Sequence, residues 1–352
     1  MNPESIYRRL GPFLRPLAVP YALIMERRRQ AYALGRKEVY RPHVPCISVG
    51  NIAWGGSGKT PLTSALLEWA DERNLRVVVL SRGYGGHPGD RPLLVAPDTP
   101  PERCGDEPLM LARAHPQARV VVFPHRAEAA RFAENNLTPD LFLLDDGMQH
   151  LAVARDLDLV LLRPADVAEE WGRVIPSGSW REGPKALTVA SAFFLKTDAE
   201  TFARLRPLIE KRLRSCNVPV FSFDLEPSGL APLGKNAPPP DGDYALATGV
   251  GDPAGVERTA ARLLARPPAA VFRFADHHPF GRADVERIAA PGLPVVCTAK
   301  DAVKLAPFAP GAPVPFFSLN VRPAWGPALF SGQPFPQWWE ERLHALRPEF
   351  FP

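Results

Sequence analysis

Long apolar runs alternate with amphipathic stretches from residue 44 onward, and this alternation is the main structural signal in the chain. Val-, Leu- and Ile-rich runs predict buried strands at 44–49, 76–81, 119–123, 140–145, 157–162 and 189–195. Stretches with helical periodicity separate them at 59–71, 107–114, 126–135 and 200–214. Continuous apolar strands that alternate with helices are typical of a mostly parallel sheet with helices on both faces. The pattern therefore predicts an α/β fold.

The alternation is interrupted by residues 224–242, which contain five prolines and three glycines. Such a composition is typical of a linker. It predicts a first domain over residues 39–223 and a second, smaller α/β domain over residues 243–322. The tail, residues 323–352, contains a predicted closing helix that is expected to return to the first domain.

The composition indicates a folded protein without a strong preference for polyanions. Of the 352 residues, 45% are hydrophobic and 23% are charged, and the formal net charge is +4. This balance argues against a nucleic-acid partner. The four cysteines are far apart in the sequence, so they predict neither a metal site nor a disulfide framework.

Residues 1–38 differ from the rest because basic side chains are mixed with large apolar ones. Between residues 5 and 37 the single acid is Glu26, and the longest run without a charge, 16–25, is about half as long as a membrane-spanning helix. Such a basic, amphipathic segment can lie in the headgroup layer of an anionic membrane. A helix packed on the domain, with a solvated basic face, explains the pattern equally well.

The first predicted strand is followed by a glycine-rich loop and a helix in the stretch 48–61, SVGNIAWGGSGKTP. Strand, loop and helix in this order are the context of a P-loop, whose backbone N–H groups and helix N-terminus bind phosphate oxygens. Lys59 is expected to neutralise the β- and γ-phosphates and Thr60 to ligate Mg²⁺. Ala53 stands where the usual pattern has glycine, so the backbone there must avoid left-handed angles. The predicted ATP-binding residues are Ala53, Trp54, Gly55, Gly56, Ser57, Gly58, Lys59 and Thr60.

Acidic residues lie next to two further elements of the predicted sheet. Asp145 and Asp146 follow a strand, where an acid can hold Mg²⁺ or its water ligands beside a P-loop. Asp106 and Glu107 precede a predicted helix. Helix capping explains this second pair, and so does a role as general base and metal ligand.

Three other polar stretches allow more than one interpretation. FADHHPF, at 274–280, fits a metal site, a catalytic histidine or a polar turn. Arg82, after the second strand, is suited to binding a phosphate or to forming a salt bridge. LKTD, at 195–198, lacks the asparagine of the guanine-reading signature, which argues against a GTPase.

Seven motifs together resemble one family, tetraacyldisaccharide 4′-kinase, the lipid A 4′-kinase of bacteria with an outer membrane. They occur in the family's order between about residues 45 and 305: SVGNIAWGGSGKTP, SRGYGG, GDEP, LLDDGMQH, PSGSWREGP, FADHHPF and TAKDAVKL. The resemblance implies a P-loop NTPase-like sheet, with ATP and Mg²⁺ as cofactors. It further implies transfer of the γ-phosphate of ATP to the 4′-hydroxyl of a tetraacylated glucosamine disaccharide 1-phosphate, which gives lipid IVA.

The resemblance also implies roles for individual residues. Asp106 is the base, assisted by His277, and Lys59 completes the catalytic set. Because Asp106 and His277 fall in different predicted domains, their meeting is expected to require domain closure. The implied metal ligands are Thr60, Glu107, Asp145 and Asp146. From the same motifs we expect the substrate to be bound by Arg82, Gln149, His150 and Arg181.

The acyl chains of such a substrate give residues 1–38 a function. We therefore favour a peripheral or monotopic protein that binds anionic lipid at the cytoplasmic face of the inner membrane. No obligate protein partner is indicated. An alternative hypothesis is a membrane-associated P-loop ATPase or GTPase that acts as a nucleotide-switched scaffold.

Overall fold

A computed structural model describes residues 3–234 and 237–348. Its contacts divide the chain into two compact units. The first unit comprises the chain up to Arg82, Gln117–Asp224 and the chain from Ala324 onward, and the second comprises Gly83–Pro116 and Leu225–Pro323. Residues 324–348 thus group with the first unit.

The strands and helices have the following bounds. The strands are β1 (Cys46–Asn51), β2 (Val77–Ser81), β3 (Leu93–Val95), β4 (Arg119–Val122), β5 (Leu141–Asp145), β6 (Leu157–Leu162), β7 (Ala192–Lys196), β8 (Val220–Leu233), β9 (Ala245–Thr248), β10 (Ala270–Arg273), β11 (Val295–Thr298) and β12 (Phe316–Leu329). The helices are α1 (Pro3–Ala33), α2 (Lys59–Asp71), α3 (Pro101–Cys104), α4 (Asp106–Ala114), α5 (Arg126–Leu137), α6 (Pro164–Val167), α7 (Ala199–Leu213), α8 (Pro253–Leu264), α9 (Arg282–Ala289), α10 (Ala299–Leu305) and α11 (Phe335–Leu346).

The first unit is built on a parallel sheet, which confirms the predicted fold class. Its strand order is β8-β7-β6-β1-β5-β2-β4, and the pairs within this order are parallel. Every residue of β1, β2, β5 and β6 is buried, as expected for strands that are covered by helices on both faces. Val49 of β1 pairs with Asp145 of β5, so the carboxyl ends of the two strands lie side by side.

The closing helix α11 belongs to the first unit and is held by aromatic packing. Phe335 and Trp338 lie 5.5 and 5.6 Å from Phe221, measured between ring centroids, and Trp339 lies 5.6 Å from Trp69. Trp339 is 1% exposed. Burying aromatic side chains of this size contributes strongly to stability, so the tail is an integral part of this unit.

The strands of the second unit pair in parallel in the order β10-β9-β11-β12. The centre of β11 is fully buried. Thr298 caps the following helix α10, because its hydroxyl accepts a hydrogen bond from the Asp301 backbone N–H. Helix α4 packs against α10, which explains why residues 83–116 group with this unit although the sequence placed them in the domain 39–223.

The proposed linker, residues 224–242, is partly a strand. β8 runs from Val220 to Leu233 and β12 from Phe316 to Leu329, so each continues from one unit into the other. Prolines are tolerated in extended chain where their nitrogen is not needed for a ladder hydrogen bond. The proline content of this segment therefore suggested a linker between domains, whereas its first part, up to Leu233, continues strand β8.

Helix α1 packs on the first unit through small residues. Ala18 is buried, and a Cβ added at Gly11 would lie 2.6 Å from the carbonyl oxygen of Ser177. Arg29 donates two hydrogen bonds of 2.9 Å to the buried carboxylate of Glu182. Among the described residues, no helix combines the length and apolarity required to cross a membrane.

Candidate active site

The loop between β1 and α2 has the backbone that the P-loop prediction requires. Gly55 and Gly58 have φ values of 97° and 91°, in the left-handed region that favours glycine, whereas Ala53 has no positive φ. Ala53 is buried and forms an isolated antiparallel bridge with Trp180. The Trp54 N–H donates to the Ser179 carbonyl oxygen at 3.1 Å. An L-residue is therefore accommodated where the usual pattern has glycine.

Gly58 is required by space as well as by its backbone angles. A Cβ at this position would lie 2.8 Å from Cζ of Phe223. A Cβ at Gly56 would meet no atom within 4 Å. Packing and backbone conformation therefore both favour glycine directly before Lys59.

Lys59, the first residue of α2, is held by two oxygen atoms of the first unit. Its Nζ donates to Oδ1 of Asn51 at 3.3 Å and lies 3.6 Å from Oδ1 of Asp146. Asn51 also donates through Nδ2 to Oγ of Ser57 at 3.0 Å. The sequence reasoning did not single out Asn51, although a buried polar residue at the end of the first strand was a usable signal.

Asp145 and Asp146 lie at the end of β5 with different surroundings. Asp145 is buried and accepts a 3.0 Å hydrogen bond from the Ser81 hydroxyl. Asp146 has a φ of 52° and accepts a 2.7 Å hydrogen bond from Arg181. Burial opposes ionisation of Asp146, but Lys59 and Arg181 outweigh it, so the pKa of this carboxyl is lowered. Asp146 is therefore ionised at neutral pH.

These acids fit a Mg²⁺ site that is completed by a nucleotide. Oδ1 of Asp146 accepts no hydrogen bond from the described residues, and Thr60 supplies a hydroxyl in the first turn of α2. Mg²⁺ typically binds one or two carboxylates together with phosphate oxygens and water. Within residues 3–234 and 237–348, no group of three or more His, Cys, Asp or Glu side chains is arranged to hold a metal ion.

Two of the four residues predicted to bind substrate, Gln149 and Arg181, are hydrogen-bonded to each other in the first unit. Arg181 donates to Oε1 of Gln149 at 3.0 Å, and Gln149 donates to the Asn51 carbonyl oxygen at 3.1 Å. His150 follows Gln149 directly; burial and the nearby charge of Arg126 lower its pKa to about 3. The imidazole is therefore neutral at physiological pH.

Arg82 is the remaining residue that was predicted to bind substrate. It follows β2 directly, at the point where the chain leaves the first unit. Its charge also lowers the pKa of His150. Arg126 was not singled out from the sequence, yet its side chain is fully buried. Burial lowers the pKa of Arg126 to about 10, opposed by the charges of Asp145 and Asp146. A buried cation thus balances the acid pair.

Asp106 and His277, predicted in separate domains, both belong to the second unit. Nδ1 of His277 lies 3.2 Å from Oδ2 of Asp106, so the expectation that only domain closure brings them together was wrong. The sequence reasoning missed that α4 packs with the elements after residue 225. His277 has a φ of 61°, and its ring lies 5.5 Å from that of Tyr84. A non-glycine residue held in this conformation is strained, and such strain is typical of functional sites.

Asp106 is the first residue of α4 and its side chain does not cap the helix. The capping interpretation is therefore not supported by the contacts. Lys304 lies 3.1 Å from the same Oδ2 that contacts His277. Burial raises the pKa of Asp106, but the hydrogen bond from His277 and the charge of Lys304 outweigh it, and the pKa is lowered. The carboxyl group is ionised, as a proton acceptor must be.

The neighbouring histidine has a different partner. Nε2 of His278 lies 3.0 Å from Oδ2 of Asp284, and its ring packs against Phe274 and Phe280. His278 thus stabilises the turn before α9. Of the two adjacent histidines, His277 is the one that contacts Asp106, in agreement with the choice made from the family motif.

Glu107 lies beside Asp106 in the second unit and faces a lysine. Its Oε1 is 3.8 Å from Nζ of Lys300, which also contacts Asp276 and His277 at 2.9 and 3.0 Å. The sequence reasoning assigned no role to Lys300 or Lys304. The signal was the motif TAKDAVKL, in which two lysines are four residues apart, the spacing that places side chains on one face of a helix.

Comparisons with known proteins agree with these features. The family model described as tetraacyldisaccharide-1-P 4′-kinase matches residues 10–332. Tetraacyldisaccharide 4′-kinase of Nitratidesulfovibrio vulgaris is 49% identical over 352 residues, which cover 99% of both chains. The protein of the same name from Oleidesulfovibrio alaskensis is 49% identical over 360 residues, covering 99% of this chain and 100% of its own.

A solved structure extends the agreement to the fold. The crystal structure of "apo" form LpxK from Aquifex aeolicus in complex with ATP matches with a TM-score of 0.72 and 28% identity. The match covers 97% of this chain and all of that one. The chain belongs to the tetraacyldisaccharide-1-P 4′-kinase family.

Proposed function

We propose that this protein transfers the γ-phosphate of ATP to the 4′-hydroxyl of tetraacyldisaccharide 1-phosphate, giving lipid IVA for lipid A biosynthesis. The observation that carries the proposal is the placement of the Asp106 carboxyl group at the start of α4, with Oδ2 3.2 Å from Nδ1 of His277 and 3.1 Å from Nζ of Lys304. A nucleotide-switched scaffold has no use for such a proton acceptor. The full-length similarity to kinases of this name supports the same conclusion.

The first unit binds the nucleotide. The N–H groups around Gly58 and the start of α2 bind phosphate oxygens, while Lys59 neutralises charge on the β- and γ-phosphates. Mg²⁺ would be held by Thr60, Asp145 and Asp146 and would neutralise charge on the transferred phosphate. Glu107 belongs to the second unit, and its role as a metal ligand stays a prediction. Arg181 orients Asp146, and Arg181 and Gln149 would bind the phosphorylated sugar.

The second unit supplies the base. In phosphoryl transfer through a loose transition state, positioning and charge neutralisation contribute more than covalent chemistry, and the proton of the attacking hydroxyl leaves late. A carboxylate with a low pKa is sufficient for this role, because it accepts the proton only once the oxygen has become acidic. Asp106 meets this requirement, and the His277 imidazole fixes its orientation.

The membrane surface is the proposed location, and α1 is the proposed contact. Phe13, Leu17 and Ile24 on this helix are 80%, 60% and 62% exposed, while its small residues and Arg29 face the first unit. A helix with apolar side chains on the free face and additional arginines can lie in the headgroup layer. Binding at the cytoplasmic face of the inner membrane would place the kinase beside its acylated substrate and its ATP supply.

The apolar face of α1 can be tested directly. We expect the triple variant Phe13→Ser, Leu17→Ser, Ile24→Ser to lose most of its binding to vesicles that contain anionic lipid, because each buried side chain contributes about 1.5–3 kcal/mol. Flotation with the vesicles measures this, and Leu94→Ser, at an exposed leucine outside α1, is the control. Undiminished flotation of the triple variant would show that α1 is not the membrane contact.

The activity itself is tested with labelled ATP, Mg²⁺ and the disaccharide 1-phosphate in detergent micelles. We expect a bis-phosphorylated lipid whose formation stops when EDTA removes the metal. A folded, ATP-binding protein that forms no such product would refute the proposal. Lipid-independent ATP hydrolysis would then favour the scaffold hypothesis.

A further inference from the structure

Helix α10 carries two lysines whose ammonium groups are removed from solvent. The side chains of Lys300 and Lys304 are 15% and 9% exposed. They are four residues apart, so they lie one turn apart on the same face of the helix. Burying an ammonium group is costly unless it is paired. Both lysines are paired with the Asp106–His277 site.

Lys300 determines which nitrogen of His277 carries the hydrogen. An ammonium group has hydrogen atoms to donate and no lone pair to accept with. Because Nζ of Lys300 is 3.0 Å from Nε2 of His277, this nitrogen acts as the acceptor. The hydrogen of the neutral ring is then on Nδ1, 3.2 Å from Oδ2 of Asp106. The imidazole therefore donates to the carboxylate.

Lys304 lies near the oxygen of Asp106 that His277 also contacts. Its Nζ lies 3.1 Å from Oδ2 of Asp106, which is ion-pair distance without hydrogen-bond geometry. Oδ2 therefore faces an ammonium group as well as Nδ1 of His277. Oδ1 accepts no hydrogen bond from the residues that the structure describes in this unit. Oδ2 of Asp106 thus interacts with the imidazole and the ammonium group, while the lone pairs of Oδ1 are available for a hydroxyl group.

We propose that Lys300 and Lys304 are positioning residues for phosphoryl transfer, which direct Oδ1 of Asp106 to the acceptor hydroxyl. This assignment rests on the proposed kinase function. In the transfer, the hydroxyl oxygen forms its bond to the γ-phosphorus, and the bond to the β–γ bridging oxygen breaks with its electron pair leaving on ADP. The hydroxyl hydrogen moves to Oδ1. Lys300 acts through His277, and Lys304 acts through Oδ2.

The first test measures the tautomer of His277 and needs no activity. In ¹⁵N-histidine spectra at neutral pH, assigned with His277→Asn, we expect His277 as the Nδ1–H form. His278 is the internal control, because its Nε2 contacts Asp284 and it is expected as the Nε2–H form. In Lys300→Met the His277 signal should shift towards Nε2–H while that of His278 stays. Wild-type His277 in the Nε2–H form, or an unchanged signal in the variant, would overturn the proposal.

The second test separates positioning from mere stability. Lys300→Met and Lys304→Met are each expected to lower kcat about 10- to 100-fold, the usual cost of losing a residue that orients a functional group, with little change in KM for ATP. In an Asp106→Asn background neither substitution should lower kcat further, because groups that act as a unit are not additive. Full additivity, or unchanged kcat in the single variants, would contradict the assignment.

Two further measurements keep the outcomes distinct. If Lys304→Met lowers the melting temperature too far for kinetics, Lys304→Arg replaces it, and we expect partial retention of kcat because the cation is kept. If the wild-type protein forms no phosphorylated lipid although His277 is in the Nδ1–H form, the proposed function fails while the hydrogen-bond arrangement stands. If the tautomer is wrong in an active kinase, only the lysine assignment fails.

Discussion

Replacing Asp106 with asparagine is expected to lower kcat for the lipid about 10²- to 10⁴-fold, the usual contribution of a general base. Asparagine has nearly the same shape but cannot take up the hydroxyl proton. ATP binding should persist, since the P-loop belongs to the first unit and Asp106 to the second. Single-turnover transfer from labelled ATP measures the first quantity, and calorimetric titration with ATP measures the second.

The chain contains a matched control for this substitution. Asp284 and His278 form a second carboxylate–imidazole pair in the same unit, with a separation of 3.0 Å. Asp284 also accepts a 3.1 Å hydrogen bond from the Gly281 N–H at the start of α9. Asp284→Asn should therefore lower stability by about 1 kcal/mol and leave kcat unchanged. If Asp106→Asn behaved like Asp284→Asn, the assignment of the base would be wrong.

Local patterns in the sequence were sufficient to predict most strands and helices of the first unit. The strand 157–162 and the helix 59–71 were predicted at the bounds that the structure shows. Both have continuous signals: an uninterrupted apolar run between polar turns, and a helical repeat that begins at a P-loop lysine. Ala53 was also judged correctly from local chemistry, since its φ is not positive.

The association of residues 83–116 with the second unit could not be obtained in this way. Helix α4 follows the second strand in sequence but packs against α10, nearly two hundred residues later. The contact depends on which faces of two short helices are complementary, and periodicity does not encode a partner. The same reason explains why Asp106 and His277 were assigned to separate domains although they share a hydrogen bond.

The sequence predicted which residues belong to the candidate site better than it predicted which of them contact each other. The motifs indicated Lys59, Asp146 and Arg181 separately, but not that Asp146 contacts both cations. Asn51 and the two lysines of α10 were not identified as site residues, because each acts by contacting another side chain of the site. The sequence signals at these positions, a polar residue at the end of a strand and two lysines four residues apart, do not show which side chain each residue contacts. Three-dimensional contacts are needed for that.

Replacing Lys59 with methionine should have the other large effect. Methionine keeps much of the side-chain length but removes the cation that would stabilise charge on the β- and γ-phosphates. We expect kcat to fall about 10²- to 10³-fold, the usual cost of losing one charge-stabilising group in the transition state. ATP affinity should fall much less, because the N–H groups around Gly58 and the N-terminus of α2 still bind the phosphates. Arginine is not expected to restore activity, since its planar guanidinium differs in shape from an ammonium group.

The split between kcat and KM decides whether Lys59 acts on the transition state or only on binding. Equal losses of kcat and kcat/KM would show that its interaction with phosphate is made in the transition state. A rise in KM for ATP at unchanged kcat would show uniform binding, and Lys59 would then not be catalytic. Lys211→Met, at an exposed lysine of α7, controls for the loss of a positive charge. Lys59 also lies 3.6 Å from Asp146, so its replacement can change stability as well as catalysis. Melting curves of Lys59→Met and Lys211→Met measure this. A change in stability that the two variants share would leave the conclusion about kcat and KM unchanged.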